Sequence, residues 1–174
     1  MELTIIIPTF GRPAKLASCC AAIARQTLPP DSIEVLIGVD GPDQGEAAAA
    51  RRALPRAKVI PGTHAGPAAT RNRLLRDARA PIVLLLNDDV EPSPRCAEEH
   101  VKAHRELERR PALVLGDAPW RVHKPDRLFD RLVRETSMIF FFDQMVGPAA
   151  ADPMHDWGFR HAWTLNLSIA TDLA

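Results

Sequence analysis

Acidic and amide side chains follow two apolar segments of the sequence. Asn87–Asp89 comes directly after the five apolar residues Ile82–Leu86, and Asp40 follows the largely apolar segment Ile33–Val39. Two adjacent carboxylates at the end of a buried segment repel each other unless a cation or strong hydrogen-bond donors neutralise them. Oxygen ligands without a neighbouring cluster of histidine or cysteine favour Mg²⁺ or Mn²⁺. The acidic pair therefore indicates a divalent-cation site, and the alternative is that Asp88 only caps the helix or turn that follows.

Two further segments carry residues suited to an anionic ligand. Pro8–Arg12 follows the first apolar segment, and Ala65–Asn72 has the pattern of a helix start, with Pro67 in the first turn and Arg71 one turn further on. The guanidinium at that position could reach a phosphate. As a helix start the segment is also complete without a function, and Asp40 with the glycine after it could be an ordinary turn.

The elements that must position these residues are short strands alternating with helices. The predicted strands are Leu3–Pro8, Ile33–Val39, Ala57–Ile60 and Ile82–Leu86, and the predicted helices between them are Ala14–Gln26, Glu46–Leu54 and Ala68–Ala78. Strands that are apolar throughout belong to parallel sheets covered by helices on both faces. The order predicts about four βα units of a doubly wound α/β fold of the nucleotide-binding type. Ligands bind beyond the carboxyl ends of such strands, so the strand ends are expected to share one ligand.

The second half of the chain is less regular. Its predicted elements are a helix at Arg95–Arg109, a strand at Ala112–Gly116, a helix at Asp126–Met138, an irregular loop at Asp143–Arg160 and a strand at Ala162–Ile169. His100 and His104 stand four apart on the charged helix, but no third metal ligand accompanies them.

Composition narrows the class of protein. The 174 residues carry 22 Lys+Arg and 22 Asp+Glu, and 46% are hydrophobic, which is typical of one soluble globular domain. Zero net charge and the absence of tyrosine argue against nucleic-acid binding. Three cysteines without paired spacing indicate a reducing compartment. The N-terminus lacks a basic leader, and no run approaches the ~18 apolar residues of a membrane span, so we expect a cytoplasmic protein without a transmembrane segment.

In combination, the motifs resemble family-2 glycosyltransferases of the GT-A fold. The motifs that carry the resemblance are Ile7-Pro8-Thr9-x-x-Arg12, Val39-Asp40-Gly41, Gly66-Pro67-Ala68-x-x-Arg71-Asn72, Leu86-Asn87-Asp88-Asp89-Val90 and Leu165-Asn166-Leu167-Ser168. The resemblance implies a Rossmann-like, mostly parallel sheet flanked by helices. It also implies a single domain over 1–174, with a nucleotide-sugar-binding part at about 1–118 and the incomplete start of an acceptor-binding part at about 119–174.

The resemblance also implies roles for individual residues. The implied nucleotide-sugar-binding residues are Pro8, Thr9, Arg12, Asp40, Gly66, Arg71, Asn87 and Asp88. Asp40 would accept the N3–H of a uracil-like or thymine-like base, and Arg71 would lie near the diphosphate. Asp89 would bind the metal, Mn²⁺ or Mg²⁺. The first position of the family's acidic motif is Asn87 here, which removes one formal charge from the site.

The implied reaction is the transfer of a sugar from a nucleotide diphosphate sugar of the UDP or dTDP type to an acceptor hydroxyl, with metal assistance and inversion. A carboxylate would deprotonate the acceptor. In similar proteins that base lies beyond the Asn166 motif, so we expect it beyond Ala174, with His155 and Asp156 as weaker candidates. Trp120 and Asn166 are expected on the acceptor side.

The expected acceptor and two alternative functions are less well defined by the sequence. The expected acceptor is a saccharide or a lipid-linked molecule, and the latter would place the protein peripherally at a membrane. Two other functions stay open: a non-catalytic nucleotide-sugar-binding module, and a sugar-phosphate nucleotidyltransferase. The second is disfavoured because the loop after the first strand, Pro8–Arg12, has a single glycine rather than a glycine-rich triphosphate-binding sequence.

Overall fold

The computed structural model describes residues 1–108, 110–122, 124–136, 139–140, 142–152 and 155–174. These residues form two compact units, which are described separately. Unit 1 comprises Met1–Gly116 and Thr164–Ala174, and unit 2 comprises Asp117–Trp163. The single-domain organisation expected from the sequence stays a prediction.

Unit 1 is built on a sheet with the strand order β3-β2-β1-β4-β6-β5, six strands within the described residues. The strands are β1 (Leu3–Thr9), β2 (Ile33–Asp40), β3 (Lys58–Gly62), β4 (Ile82–Leu86), β5 (Leu113–Leu115) and β6 (Asn166–Ala170). The first four are mutually parallel, and β6 runs antiparallel to both β4 and β5. The predicted fold class, a mostly parallel sheet flanked by helices, is confirmed.

Four helices belong to unit 1 in its described residues: α1 (Pro13–Ile23), α2 (Glu46–Ala53), α3 (Pro67–Leu75) and α4 (Cys96–Glu106). The predicted helices extended too far at their C-termini. After α1 and α3 the chain continues in tighter turns, in which the amides of Gln26 and Ala78 donate to carbonyls three residues earlier. Such turns follow the helical sequence pattern for a few residues after the α-helix has ended.

Both faces of the central parallel strands, β1, β2 and β4, pack against helices. On one face Ile5, Ile37 and Leu84 contribute to a core shared with α1 and α4, and on the other face Leu36 packs with Leu74 of α3. Every residue of β1 and β2 is buried, which explains why these strands lack the polar alternation of a one-sided sheet.

Pairing in the sheet brings the predicted ligand-binding residues to one edge. Strand β1 lies between β2 and β4, and Thr9 pairs with Val39 at the carboxyl end. Asp40 is the last residue of β2, and Asn87 follows the last residue of β4. Since neighbouring strands are about 4.8 Å apart, side chains from these three strand ends can meet one small ligand.

Unit 2 contains one α-helix in its described residues, α5 (Leu128–Glu135), and short 3₁₀ turns at Phe142–Gln144, Pro148–Ala151 and Phe159–His161. The helix is shorter than predicted; its predicted end, Met138, lies outside the described residues. The turns lie within or overlap the segment expected to be irregular, Asp143–Arg160. In the described part of the chain, every helix is too short or too polar to span a bilayer.

Candidate functional site

Asp40 organises the loop between β3 and α3. Its Oδ1 accepts hydrogen bonds from the amide of Ala65 (2.8 Å) and the hydroxyl of Thr70 (3.1 Å), and its Oδ2 accepts one from the amide of Gly66 (3.0 Å). Burial opposes ionisation of this carboxyl, but the hydrogen bonds outweigh burial and lower the pKa of Asp40. Asp40 is therefore a buried anion fixed at the carboxyl edge of the sheet.

His64 and Phe10 form an aromatic pair beside Asp40. The rings stack with centroids 4.5 Å apart, and Phe10 remains 43% exposed. His64 Nδ1 lies 3.0 Å from the carbonyl oxygen of Asp40 and 3.2 Å from Asp40 Oδ2, so Nδ1 faces two acceptors and carries a proton. Gly41, with φ of +126°, lets Phe10 approach its backbone closely. The exposed face of Phe10 is a flat surface on which a ring can stack.

The acidic pair after β4 contacts groups from the end of β1. Asp88 is completely buried, and its Oδ2 accepts a hydrogen bond from the Thr9 hydroxyl at 2.7 Å. Arg12 contacts both acids: one guanidinium nitrogen lies 2.5 Å from Asp88 Oδ1, and the other donates to Asp89 Oδ2 at 3.1 Å. Burial raises the pKa of Asp88, and Thr9 and Arg12 oppose that rise.

Asp88 Oδ1 has spare hydrogen-bonding capacity. It is buried and makes no hydrogen bond to the described residues, because its contact with Arg12 has the distance of an ion pair without the angles of a hydrogen bond. A buried carboxylate oxygen in this condition is unfavourable unless another group binds it. The atom is therefore suited to a cation or a donor group of a ligand.

Arg71 lies between the two aspartate sites. It projects from α3 and donates to Asn87 Oδ1 at 2.7 Å, while its Nε is buried without a hydrogen-bond partner in the described residues. Burial lowers the pKa of Arg71, although an arginine keeps its charge at neutral pH. The structure thus brings Asp40, Arg71 and Asp89 to the same edge of unit 1.

A comparison with known families identifies the family of the chain. The sequence profile described as Glycosyl transferase family 2 matches residues 4–151. The chain belongs to glycosyl transferase family 2.

Solved structures of similar fold are glycosyltransferase structures. TarS of S. aureus (residues 1–349) is 22% identical with a TM-score of 0.57, and the match covers 66% of this chain and 35% of TarS. The mannosyltransferase PcManGT of Pyrobaculum calidifontis, solved with GDP-Man and Mn²⁺, is 22% identical with a TM-score of 0.55 and coverages of 75% and 38%. TarS 1–349 solved with UDP-GlcNAc is 18% identical with a TM-score of 0.58, over 71% and 37% of the two chains.

This family-2 chain thus spans little more than a third of the length of these three structures. At these identities the likeness establishes the GT-A fold. A search of curated protein sequences found no match.

The residues present fit a hard divalent cation. No group of three or more His, Cys, Asp or Glu side chains suited to a metal occurs in the described part of the chain. Mg²⁺ and Mn²⁺ nevertheless often need only one or two protein carboxylates when phosphate oxygens and water complete the shell. The exposed Asp89, 40% accessible, and the buried, unbonded oxygen of Asp88 could supply that donor set in the family-2 domain.

Two predicted residues of unit 1 are buried away from open surface. The side chain of Asn166 is 5% exposed; its Oδ1 contacts His100 Nε2 at 3.0 Å and accepts from the Cys96 thiol at 3.6 Å. Pro8 lies inside β1, paired with Gly38. The acceptor role of Asn166 and the pocket-lining role of Pro8 stay predictions.

The other acceptor-side and base candidates belong to unit 2. The Trp120 ring lies against Phe140, with centroids 5.6 Å apart. Asp156 accepts a hydrogen bond from the amide of Gly158 at 2.8 Å, and His155 packs edge-on against Trp157. Their proposed roles in the family-2 reaction stay predictions.

The sequence did not predict the stack of Phe10 on His64 or the contact of Arg12 with both Asp88 and Asp89. A signal was present for the first, because Phe10 is the aromatic residue directly after a strand that ends at the ligand-binding edge. Nothing in the sequence linked it to His64, which lies 54 positions away on another loop.

Proposed function

We propose that this chain binds the donor in an enzyme that transfers a sugar from a uridine- or thymidine-type nucleoside diphosphate sugar to an acceptor hydroxyl, with inversion at the sugar carbon. The observation that carries the proposal is the meeting of Asp40, Arg71 and the Asp88/Asp89 pair at one sheet edge, with one buried oxygen of Asp88 left without a hydrogen bond. Anionic and cationic groups alternate along that edge, as a base, a diphosphate and a cation require.

The base would bind between Asp40 and Phe10. Asp40 Oδ1 already accepts two hydrogen bonds, whereas Oδ2 accepts one from Gly66 and faces His64. His64 Nδ1 makes its hydrogen bond with the Asp40 carbonyl oxygen, at 3.0 Å, and lies further from Oδ2, at 3.2 Å. Because a carboxylate oxygen has two lone-pair directions, Oδ2 then retains one for a pyrimidine N3–H. The exposed face of Phe10 would stack on the same ring. TarS has been solved with UDP, which supports a uridine-type donor.

The diphosphate would lie near Arg71. This guanidinium is held by Asn87, and its buried Nε has no partner in the described residues. A planar guanidinium with free N–H groups suits phosphate oxygens. Holding the arginine in place before the ligand arrives reduces the entropy lost on binding.

Asp89 and Asp88 would hold a Mn²⁺ or Mg²⁺ ion, which supplies positive charge to the diphosphate leaving group when bound. Support comes from the oxygen-only donor set and from PcManGT, which was solved with Mn²⁺. Thr9 hydrogen-bonds one oxygen of Asp88 and so orients its other oxygen. A hydrogen bond to the other oxygen of a ligating carboxylate restricts the orientation of that carboxylate.

In the proposed reaction the acceptor oxygen attacks the anomeric carbon opposite the diphosphate. The bond from that carbon to the diphosphate oxygen breaks, the nucleoside diphosphate leaves, and the acceptor proton passes to a base. His155 and Asp156 remain candidates for the base, and Trp120 remains a candidate platform for a saccharide or lipid-linked acceptor. Neither assignment is needed for donor binding.

The melting temperature tests donor binding. UDP with Mn²⁺ should raise it, because a ligand that binds only the folded state increases the free energy of unfolding once its concentration exceeds its Kd. Asp89→Ala should abolish the metal-dependent part of the rise. Asp77→Ala is the matched control, since Asp77 is similarly exposed but pairs with Lys58. No rise with any uridine or thymidine diphosphate, or an equal rise in Asp89→Ala, would contradict the proposal.

A further inference from the structure

A single arginine bridges the two acids proposed to hold the metal. Arg12 places one nitrogen 2.5 Å from Asp88 Oδ1 and another 3.1 Å from Asp89 Oδ2. Each contact has the N···O distance of an ion pair, and the two carboxylates come from adjacent residues. Without Arg12, two negative charges would lie side by side, one of them fully buried. Arg12 therefore acts as the counter-ion of the acidic pair.

Arg12 and a divalent cation need the same oxygens. Asp88 Oδ1 makes no hydrogen bond to the described residues, and its nearby positive charge is Arg12. Asp89 Oδ2 accepts a hydrogen bond from the same guanidinium. A cation bound there would also be repelled by a guanidinium left in place. Arg12 and the cation therefore exclude each other, at least at Asp89.

The surroundings of Arg12 allow it to move. Its side chain is 51% exposed, it precedes the first residue of α1, and its contact with Asp89 is exposed. An exposed ion pair contributes little net stability, so releasing Asp89 costs little. Asp88 is fully buried, so Arg12 can leave it only when another cation takes its place. Arg71 differs, because it is partly buried and hydrogen-bonded to Asn87.

We propose that Arg12 is a positioning residue and a resident competitor of the metal: it holds Asp88 and Asp89 ready, and it yields them to a divalent cation only when a diphosphate offers the guanidinium a new anionic partner. The proposal rests on the proposed function and adds a regulation of the same site. Metal and nucleotide binding are then coupled through Arg12, and linkage requires each to strengthen the other by the same factor.

Binding of Mn²⁺ followed by the loss of its free-ion electron paramagnetic resonance signal tests this coupling. Titrations would use the full chain, with and without saturating UDP, as wild type, Arg12→Gln and Arg12→Lys. Arg95→Gln is the matched control, since Arg95 also contacts two acids, Glu98 and Glu99, on an exposed surface. Circular dichroism checks that each variant is folded.

For Mn²⁺ alone, Arg12→Gln should bind about three- to tenfold more tightly than wild type, the range expected for releasing one partly exposed ion pair. The factor by which UDP tightens Mn²⁺ binding should fall by at least the same amount. Arg12→Lys should lie between the two, because lysine keeps the charge but cannot bridge two carboxylates as a planar fork. If Arg12→Gln does not fold, Arg12→Lys carries the test.

Unchanged or weaker binding of Mn²⁺ alone in Arg12→Gln and Arg12→Lys would overturn the competition, as would an equal change in Arg95→Gln. Failure of the proposed function gives a different pattern. In that case wild type would bind no Mn²⁺ even with UDP, and the variants would bind none either.

Discussion

The parallel and antiparallel halves of the unit 1 sheet differ in how fully their buried polar side chains are hydrogen-bonded. At the carboxyl edge of the parallel strands, Asp88 and Arg71 each keep a buried atom without a hydrogen-bond partner in the described residues. In the antiparallel half, Ser168 Oγ lies 2.7 Å from His100 Nδ1 and 2.9 Å from His104 Nε2, and the other nitrogen of His100 contacts Asn166. The parallel half therefore has polar atoms that can still bind a ligand, whereas these polar groups of the antiparallel half bind one another.

The difference separates a binding site from a structural network. Buried polar atoms are normally hydrogen-bonded, so an atom that is buried and unbonded marks a place where a ligand can compensate. A closed network such as the one around Ser168 fixes the packing of α4 on β6 and offers a ligand nothing. The spacing of His100 and His104 resembles a metal site in sequence, but both ring nitrogens of His100 and Nε2 of His104 already contact protein atoms. Mutations in the two halves should therefore affect different measurements.

The largest effect is expected from Asp88→Asn. The substitution keeps the shape but removes the buried charge that faces Arg12 and the proposed cation. The affinity for UDP in the presence of Mn²⁺ should fall about a hundredfold, or about 2.7 kcal/mol, as for the loss of a charged ligand-binding group. Isothermal titration calorimetry measures it. A fall of less than threefold would place the acidic pair outside the site.

Asp40→Ala should come next, and its effect should appear in the free energy of unfolding. Removing this carboxylate leaves the amides of Ala65 and Gly66 without their acceptor, at a cost of about 2 to 3 kcal/mol. Asp43→Ala is the matched control, because Asp43 also accepts from two amides but on an exposed turn before α2, where about 1 kcal/mol is expected. Urea denaturation compares them, and an equal loss would contradict the buried role of Asp40.

Ser168→Ala sharpens the comparison from the antiparallel half. The change removes the hydroxyl that contacts both His100 and His104, and it should lower the free energy of unfolding by about 1 to 2 kcal/mol. Affinity for UDP with Mn²⁺ should stay within twofold of wild type in the same calorimetric assay. A large loss of affinity with normal stability would show that this network belongs to the ligand-binding site.

The smallest effect is a pH dependence of stability that originates in the same half. Burial lowers the pKa of His100, helped by repulsion from His104, against an opposing hydrogen bond to Asn166 Oδ1. Burial also lowers the pKa of His104. The unfolded state then binds protons more readily than the folded state. The free energy of unfolding should therefore be highest above about pH 6.5 and decrease on acidification, by about 1 kcal/mol between neutral pH and pH 5.5.

His104→Gln should reduce that slope, since it removes one titrating group and keeps a hydrogen-bonding side chain. Urea denaturation at pH 7.5, 6.5 and 5.5 measures the slopes of both proteins. Equal slopes, or a wild-type stability that rises on acidification, would contradict the assignment to these histidines.

The sequence predicted the strand ends well because hydrophobic runs are local signals. All strands of the parallel half were found within one or two residues of their observed bounds, and Asp40 and Asn87 were expected where β2 and β4 end. The long-range contacts could not be predicted, since the pairing of Arg12 with Asp88 and the stack of Phe10 on His64 depend on how loops from different strands fold over one edge. Helix ends were inaccurate for the reason seen after α1, where tight turns continue the helical pattern.

The central claim is that the carboxyl edge of β1, β2 and β4 binds a nucleoside diphosphate. Two-dimensional ¹H–¹⁵N nuclear magnetic resonance of the full chain, titrated with UDP and the diamagnetic ion Mg²⁺, tests it most directly. Large shifts are expected for the amides of Thr9–Arg12, Ala65, Gly66 and Asn87–Asp89, and small shifts for those of Leu113–Leu115. Shifts confined to residues away from the parallel edge, or none at millimolar UDP, would contradict it.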